Sequence, residues 1–198
     1  KRCGDENDAD VVIIEVGGTV GDYQNVLFLE AVRHMKFEDS ADVLLVLVSY
    51  IPALGVGGNE LKTKPTQHAV RFLNSSGLHP DMVLARSTGP IDEKRKEKLE
   101  YMCGLEKGSI ISAPDVDSIY DIPLNFEKDH LSEFIFKKLG ISALKENGLT
   151  EWKELSDKVK NATETVKIGI VGKYFDTGNF VLSDAYISVI EAVKHACY

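Results

Sequence analysis

Short apolar runs with no polar alternation recur along this 198-residue chain, and each is followed by a segment with helical spacing. "DVVIIEV" (10–16) precedes "NVLFLEAVRHMKFE", and "DVLLVLVSYI" (42–51) precedes "TQHAVRFLNSSG" across the Gly-rich loop "PALGVGGNELKTKP". "DMVLARS" (81–87) precedes the charged "DEKRKEKLEYMCG", and "GSIISAPDV" (108–116) precedes "LSEFIFKKLG". A run that is apolar at nearly every position reads as a strand buried on both faces, as in a parallel sheet. Strands of that kind alternating with helices build βαβ units and an open parallel sheet.

Beyond this repeating pattern the chain turns polar, "ISALKENGLTEWKELSDKVKNATETV" (141–166), with one helix expected around Trp152. A new strand is then expected in "KIGIVGKY" and a new helix in "DAYISVIEAVKHA". The chain opens in "KRCGDENDADVV" and closes inside a helical pattern, so both ends read as cut. The expected organisation is α/β: a three-layer P-loop-type domain with a mainly parallel sheet (N-terminal part missing) over 1–142, a linker over 143–166, and the start of a second α/β domain over 167–198.

A net charge of -8 argues against a general nucleic-acid or membrane-surface binder, although it permits a small basic pocket. The most apolar run is interrupted by Ser49 and Pro52 and is too short to span a bilayer. Cys3, Cys103 and Cys197 are widely spaced with no CxxC pair, which fits reduced thiols in the cytoplasm. The five histidines lack metal-ligand spacing, and no G-x-S-x-G elbow occurs. Nor is there a G-x-x-x-x-G-K-[ST] phosphate loop: "GIVGKY" has the wrong spacing and the wrong residue after Lys173.

Two stretches carry candidate chemistry. In open α/β sheets ligands bind beyond the carboxyl ends of the strands. Glu15 is expected at such an end, followed by Gly17, Gly18 and Gly21. The glycines would admit close backbone approach, and a lone carboxylate suits Mg2+ held mainly by substrate phosphates. The same residues also make a tight turn with a solvated acid. In "NELKTKPTQHAV", Lys62 and Lys64 precede Pro65, whose preset φ fits the first turn of a helix. The free N–H groups of that turn, its positive dipole end and the amide of Gln67 would together suit a triphosphate. A solvated loop is the alternative. Lys98 lies on a helix whose charges mostly mark a solvated face. Asp115 and Asp117, after another expected strand end, suit a turn or helix cap as well as a ribose contact.

Taken together, "EVGGTVGD", "KTKPTQHAV", "PDVDSIYDIP" and "VGKYFDTGNFVLSDAYISVIEAVKHA" resemble the CTP synthase family, in family order and across nearly the whole chain. That resemblance implies a two-part ligase. A synthetase (amidoligase) domain uses ATP to phosphorylate the uracil 4-oxygen of UTP, and ammonia then displaces the phosphate to give CTP. A class I glutamine amidotransferase domain supplies the ammonia from glutamine, CTP inhibits as product, and GTP activates glutamine hydrolysis. It also implies a homodimer or homotetramer with the UTP site built between subunits, and no nucleic-acid or membrane partner.

By position, the resemblance makes Glu15 the Mg2+ ligand and Lys62 and Lys64 the catalytic cations. Lys62, Thr63, Lys64, Pro65, Thr66 and Gln67 would bind the UTP or CTP phosphates, with Lys98 a further pyrimidine-nucleotide contact. Gly17, Gly18, Asp22, Tyr23 and Gln24 match the segment that contacts inhibitory CTP, and Arg86, Pro114, Asp115 and Val116 an ATP-contacting region. Gln24 stands where many members carry a carboxylate, Pro114 where many carry Lys, and "FDTGNFVLSDAY" is longer than the usual connector. Without a phosphate loop or glutaminase nucleophile, this polypeptide alone is not expected to make CTP from glutamine. Alternatives are a non-catalytic nucleotide-binding or assembly element, or an amidoligase of the dethiobiotin or cobyric acid synthase type, for which "KTKPTQ" has no reason.

Overall fold

Strand β4 (Met82–Ser87) is the spine of a three-stranded parallel sheet of order β1-β4-β5. In this computed structural model, which describes residues 2–55, 60–142, 148–173 and 183–198, β1 (Val46–Tyr50) pairs with it from Val46↔Met82 to Tyr50↔Arg86. On the other side β5 (Ile110–Pro114) pairs from Val83↔Ile110 to Ser87↔Pro114. These strands fall inside three of the apolar runs, trimmed at one or both ends because pairing extends only as far as a neighbour does.

Successive side chains on a strand point to opposite faces, and β4 uses both. Val83 and Ala85 enter a core with Val70 and Leu73 of helix α3 (Lys64–Ser75), Leu99 and Cys103 of α4 (Glu93–Cys103), and the flank of α2 (Val26–Glu38) at Leu29 and Val32. Met82 enters a second core with Ile111 and Phe134, edged by Leu84 and by Leu131 and Ile135 of α6 (Leu131–Leu139). Helices therefore cover both faces of the sheet, a three-layer α/β arrangement. Met82, Val83, Leu99 and Ile111 are completely buried, and each such aliphatic side chain contributes roughly 1.5–3 kcal/mol.

Helix α4 shows how local chemistry bounds these layers. Its N-cap, Asp92, accepts the Arg95 N–H at 2.8 Å, and the helix stops at Gly104 with φ 68°, a conformation only glycine adopts cheaply. On its inner face Lys96 is buried and donates to Glu93 at 2.8 Å and to Asp129 at 2.6 Å. The second oxygen of Asp129 accepts the Ser112 N–H of β5 at 2.7 Å. One carboxylate thus neutralises a buried cation and satisfies a backbone donor of β5.

The rest of the chain departs from the sequence expectation at several places. Residues 10–16 are not a strand: Val11 is 58% and Ile13 91% exposed, and a short helix α1 (Arg2–Asn7) precedes them. Among the described residues no strand pairs with this segment, and β-propensity alone does not hold an unpaired strand. The same reason applies to 167–173, also expected as a strand and found irregular, with Ile168 and Val171 exposed. The Gly-rich loop, conversely, contains an unexpected antiparallel pair, β2 (Ala53–Leu54) with β3 (Glu60–Leu61). Residues 56–59, and most of the long connector at 174–182, lie outside the described residues.

The chain divides into two compact units, Lys1–Val116 with Asn125–Leu144, and Asp117–Leu124 with Lys145–Tyr198. Helix α5 (Ile122–Glu127) runs from one into the other. In the second unit the expected helices form as α7 (Leu149–Asn161) and α8 (Ile187–Cys197). Tyr120 is the hub there. Its ring lies 6.0 Å from that of Trp152, 5.7 Å from His195 and 5.6 Å from Tyr198, and its carbonyl accepts the Trp152 indole N–H at 2.7 Å. Asp121 beside it accepts Ser156 at 2.6 Å and pairs with Lys160 at 2.7 Å, holding α7 along one side.

Asp129→Ala is expected to lower stability by roughly 3 kcal/mol, because it leaves buried Lys96 with only the exposed Glu93 and removes the partner of the Ser112 N–H. Lys98→Ala, on the exposed face of α4, should change it by less than about 0.5 kcal/mol. Urea unfolding midpoints at constant slope would measure both.

Candidate functional site

The carboxyl ends of the three parallel strands are where a ligand is expected, and the structure assembles two groups of candidate residues near them, with a third on the glycine loop. The first begins at β1. Past Tyr50, the Ile51 N–H donates to the Arg86 carbonyl at 2.7 Å, prolonging the β1–β4 ladder by one bond. The chain then makes the β2–β3 pair and returns, with the Lys62 N–H donating to the Pro52 carbonyl at 2.9 Å. This brings the start of α3 onto the end of β1. Ser49 Oγ and Thr66 Oγ1 lie 2.8 Å apart, and Thr66 is completely buried. Gln67, also buried, donates its amide to Thr63 Oγ1 at 3.1 Å.

Around this clamp the cations are left outside. Lys64 and Pro65 are exposed in the first turn of α3, and Lys62 is 40% exposed beside it. No side chain caps the first turn of α3, so its N–H groups and positive dipole end add to the lysine charges. The arrangement suits an anion with several oxygens. The Gln67 amide shapes the turn from within.

Sequence reading missed Glu60. Its carboxylate lies 2.5 Å from Lys62 Nζ, and this hydrogen bond holds the Glu60 carboxyl below its usual range, with the charge of Arg95 adding to the effect. Glu60 and Lys62 are two residues apart on an extended segment and therefore share a face. That spacing was visible in the sequence; the β3 strand that makes it meaningful was not. An anion arriving at Lys62 must compete with Glu60.

The second group lies on the neighbouring strand ends. Arg86 at the end of β4 donates to Asp115, just past β5, at 2.8 Å. Pro114 and Val116 flank Asp115, both half-buried. All four ATP-region candidates are thus adjacent, and Asp115 meets Arg86 instead of capping a helix. The cap nearby is Ser118, whose hydroxyl accepts the Tyr120 N–H at 3.4 Å.

The third group is the glycine loop, which closes on itself. Asn25 donates to the Gly17 carbonyl at 2.7 Å, and the Thr19 N–H donates to Asp22 at 2.7 Å. Asp22 is therefore engaged in fixing the turn, while Tyr23 and Gln24 in the following 3-10 turn are exposed. Glu15 is exposed and sits at the end of an irregular segment, not at the tip of a buried strand as expected. Among the described residues, no cluster of three or more acidic, histidine or cysteine side chains forms a metal cage.

Lys98 is exposed on α4, where the buried lysine is Lys96. No hydrogen bond or ion pair among the described residues links Glu15 or Lys98 to Lys62 or Lys64. Cys3 and Cys197 are exposed and Cys103 is buried, all as free thiols. No helix among the described residues is long and apolar enough to cross a membrane.

Comparison with known proteins gives a consistent result. A family model described as CTP synthase N-terminus matches residues 1–141. Across its whole length the chain is 44% identical to a CTP synthase of Halalkalibacterium halodurans and 43% identical to one of Bacillus subtilis. An archaeal relative so named, from Methanothermobacter thermautotrophicus, is 40% identical over 99% of the chain. The chain spans 36% of the length of each of these relatives.

Glu60→Gln is expected to tighten binding of inorganic triphosphate by about two- to fivefold, the scale of releasing a surface ion pair. Titration calorimetry at low and high salt would measure it, with the gain shrinking as salt rises.

Proposed function

The chain belongs to the CTP synthase family, and from that premise we propose that it forms the pyrimidine-nucleotide side of a ligase that aminates UTP to CTP at the expense of ATP. The single observation that carries this reading is the Ser49–Thr66 clamp, which holds the lysine-bearing start of α3 against the carboxyl end of β1. An acidic chain thereby presents two lysines and a helix N-terminus at the place where a parallel sheet receives its ligand.

In this reading Lys62, Lys64 and the first-turn N–H groups of α3 hold the UTP triphosphate, and Thr63, Pro65, Thr66 and Gln67 fix the turn that aims them. Lys98 reaches the same nucleotide from α4. Arg86, Pro114, Asp115 and Val116 form the ATP-facing edge, where Arg86 exchanges Asp115 for nucleotide oxygens. Mg2+ at Glu15 supplies charge neutralisation to the phosphates. ATP phosphorylates the 4-oxygen of UTP, and ammonia derived from glutamine displaces that phosphate. Positioned cations suit such a transfer, whose demands are orientation and electrostatic stabilisation.

The glycine loop with Tyr23 and Gln24 contacts the far end of the same pyrimidine nucleotide, UTP as substrate or CTP when product inhibits, and GTP acts on the glutaminase part of the whole enzyme. Residues 1–142 belong to the synthetase domain, 143–166 to the linker and 167–198 to the amidotransferase domain. The working assembly is a cytoplasmic homodimer or homotetramer.

The Lys62→Ala/Lys64→Ala double variant should bind Mg-UTP and Mg-CTP about a hundredfold more weakly, given the loss of two charge-assisted contacts. Calorimetric affinities equal to those of the unsubstituted chain would refute the assignment. Gln24→Glu is expected to change the CTP-to-UTP affinity ratio by about threefold or more, since an ionised acceptor replaces an amide. Competition titrations with the two nucleotides read that ratio, and an unaltered one removes Gln24 from the site.

A further inference from the structure

The glycine loop and the lysine loop are far apart in sequence, yet both rest on helix α3. At its N-terminal end α3 is pinned to β1 through Thr66. Two turns further on, the ring of Phe72 lies directly against the backbone of Gly21. A Cβ added at Gly21 would stand 3.1 Å from Cζ, 3.3 Å from Cε2 and 3.4 Å from Cε1 of that ring. Gly21 also has φ 104°, a region closed to most side chains. The preceding residue, Val20, packs against the core that contains Val70 and Leu73 of the same helix.

The loop has little freedom to adjust this seat. Its own hydrogen bonds, Asn25 to Gly17 and Thr19 to Asp22, make it a closed unit. A closed loop resting on a ring moves when the ring moves. Phe72 is 46% exposed, so it is not simply a core residue; one side of it is a bearing surface for the loop and the other faces solvent.

We propose that Phe72 is a positioning residue, setting the distance between the glycine loop and the phosphate-facing start of α3. The proposal rests on the reading that one nucleotide engages both. From Lys64 to Phe72 the helix advances roughly 12 Å at about 1.5 Å per residue. An inorganic triphosphate held at the helix start does not bridge that span, whereas a nucleoside triphosphate extended along the helix does. Phe72 therefore bears on nucleotide binding and not on binding of the phosphate chain alone. The same geometry makes Gly21 obligatory for two independent reasons, one conformational and one steric, and only the steric one depends on Phe72.

The test titrates the unsubstituted chain and its variants with inorganic triphosphate and with Mg-UTP, with thermal melting as a folding control. Phe72→Ala is expected to weaken Mg-UTP about tenfold while leaving triphosphate within about twofold, and Phe72→Leu should restore most of the loss. Gly21→Ala should weaken Mg-UTP, and adding Phe72→Ala should recover part of that loss, because the steric clash goes and the φ strain stays. Equal losses for both ligands with a lowered melting temperature would mean a merely structural role and overturn the proposal. Unchanged Mg-UTP affinity in Phe72→Ala, while Lys62→Ala/Lys64→Ala abolishes it, would overturn the proposal and keep the nucleotide reading. Failure of the unsubstituted chain to bind Mg-UTP at all would overturn both.

Discussion

The hydroxyl contact between Ser49 and Thr66 joins the end of β1 to the start of α3, and the candidate site is organised around it. Both residues are buried, so neither hydroxyl has water as an alternative partner, and separating them would leave two unsatisfied polar groups. With the helix start fixed, Lys62 and Lys64 have nowhere to go but outward. The β2–β3 pair then acts as the return path that delivers them. A parallel sheet alone would offer only a crevice at its strand ends; the clamp turns that crevice into a cationic one.

Charge is handled differently inside and outside this frame. Inside, Lys96 is neutralised by Asp129 and Glu93, and the pairing is a condition for burying that lysine at all. Outside, Lys62 with Glu60 and Arg86 with Asp115 are exposed pairs, which cost little to open. The ion pairs at the strand ends are thus the exchangeable ones, and a polyanion can take the place of Glu60 or Asp115 without disturbing the layers beneath. The net acidity of the chain favours that arrangement, because Lys62 and Arg86 already have weak internal counter-ions that compete with stray anions.

Much of this is legible in the sequence. The runs around Val46–Tyr50, Met82–Ser87 and Ile110–Pro114 announced parallel strands, and Pro65 marked the start of α3, because caps and periodicity are local properties. The run at 10–16 carried the same apolar signal and yet lies exposed. Its composition matches β4, but a strand is completed by its neighbours, and among the described residues none is paired with it. Glu60 and Phe72 went unnoticed for a related reason. Each matters through one partner, Lys62 across a short β pair and Gly21 across fifty residues of chain, and neither partner is marked by any pattern of residue types.

Sequence by itself determined the class of fold, the helix boundaries and the residue types gathered in "KTKPTQ" and "GGTVGD", because those follow from hydrophobic period, cap chemistry and the composition of short motifs. Tertiary structure alone decided which apolar runs became strands, that Gln67 turns inward while Lys64 turns outward, and that the glycine loop rests on α3. The physical reason is that burial and pairing belong to pairs of segments: whether a side chain meets water, a backbone donor or an aromatic ring is set by what the rest of the chain brings alongside it.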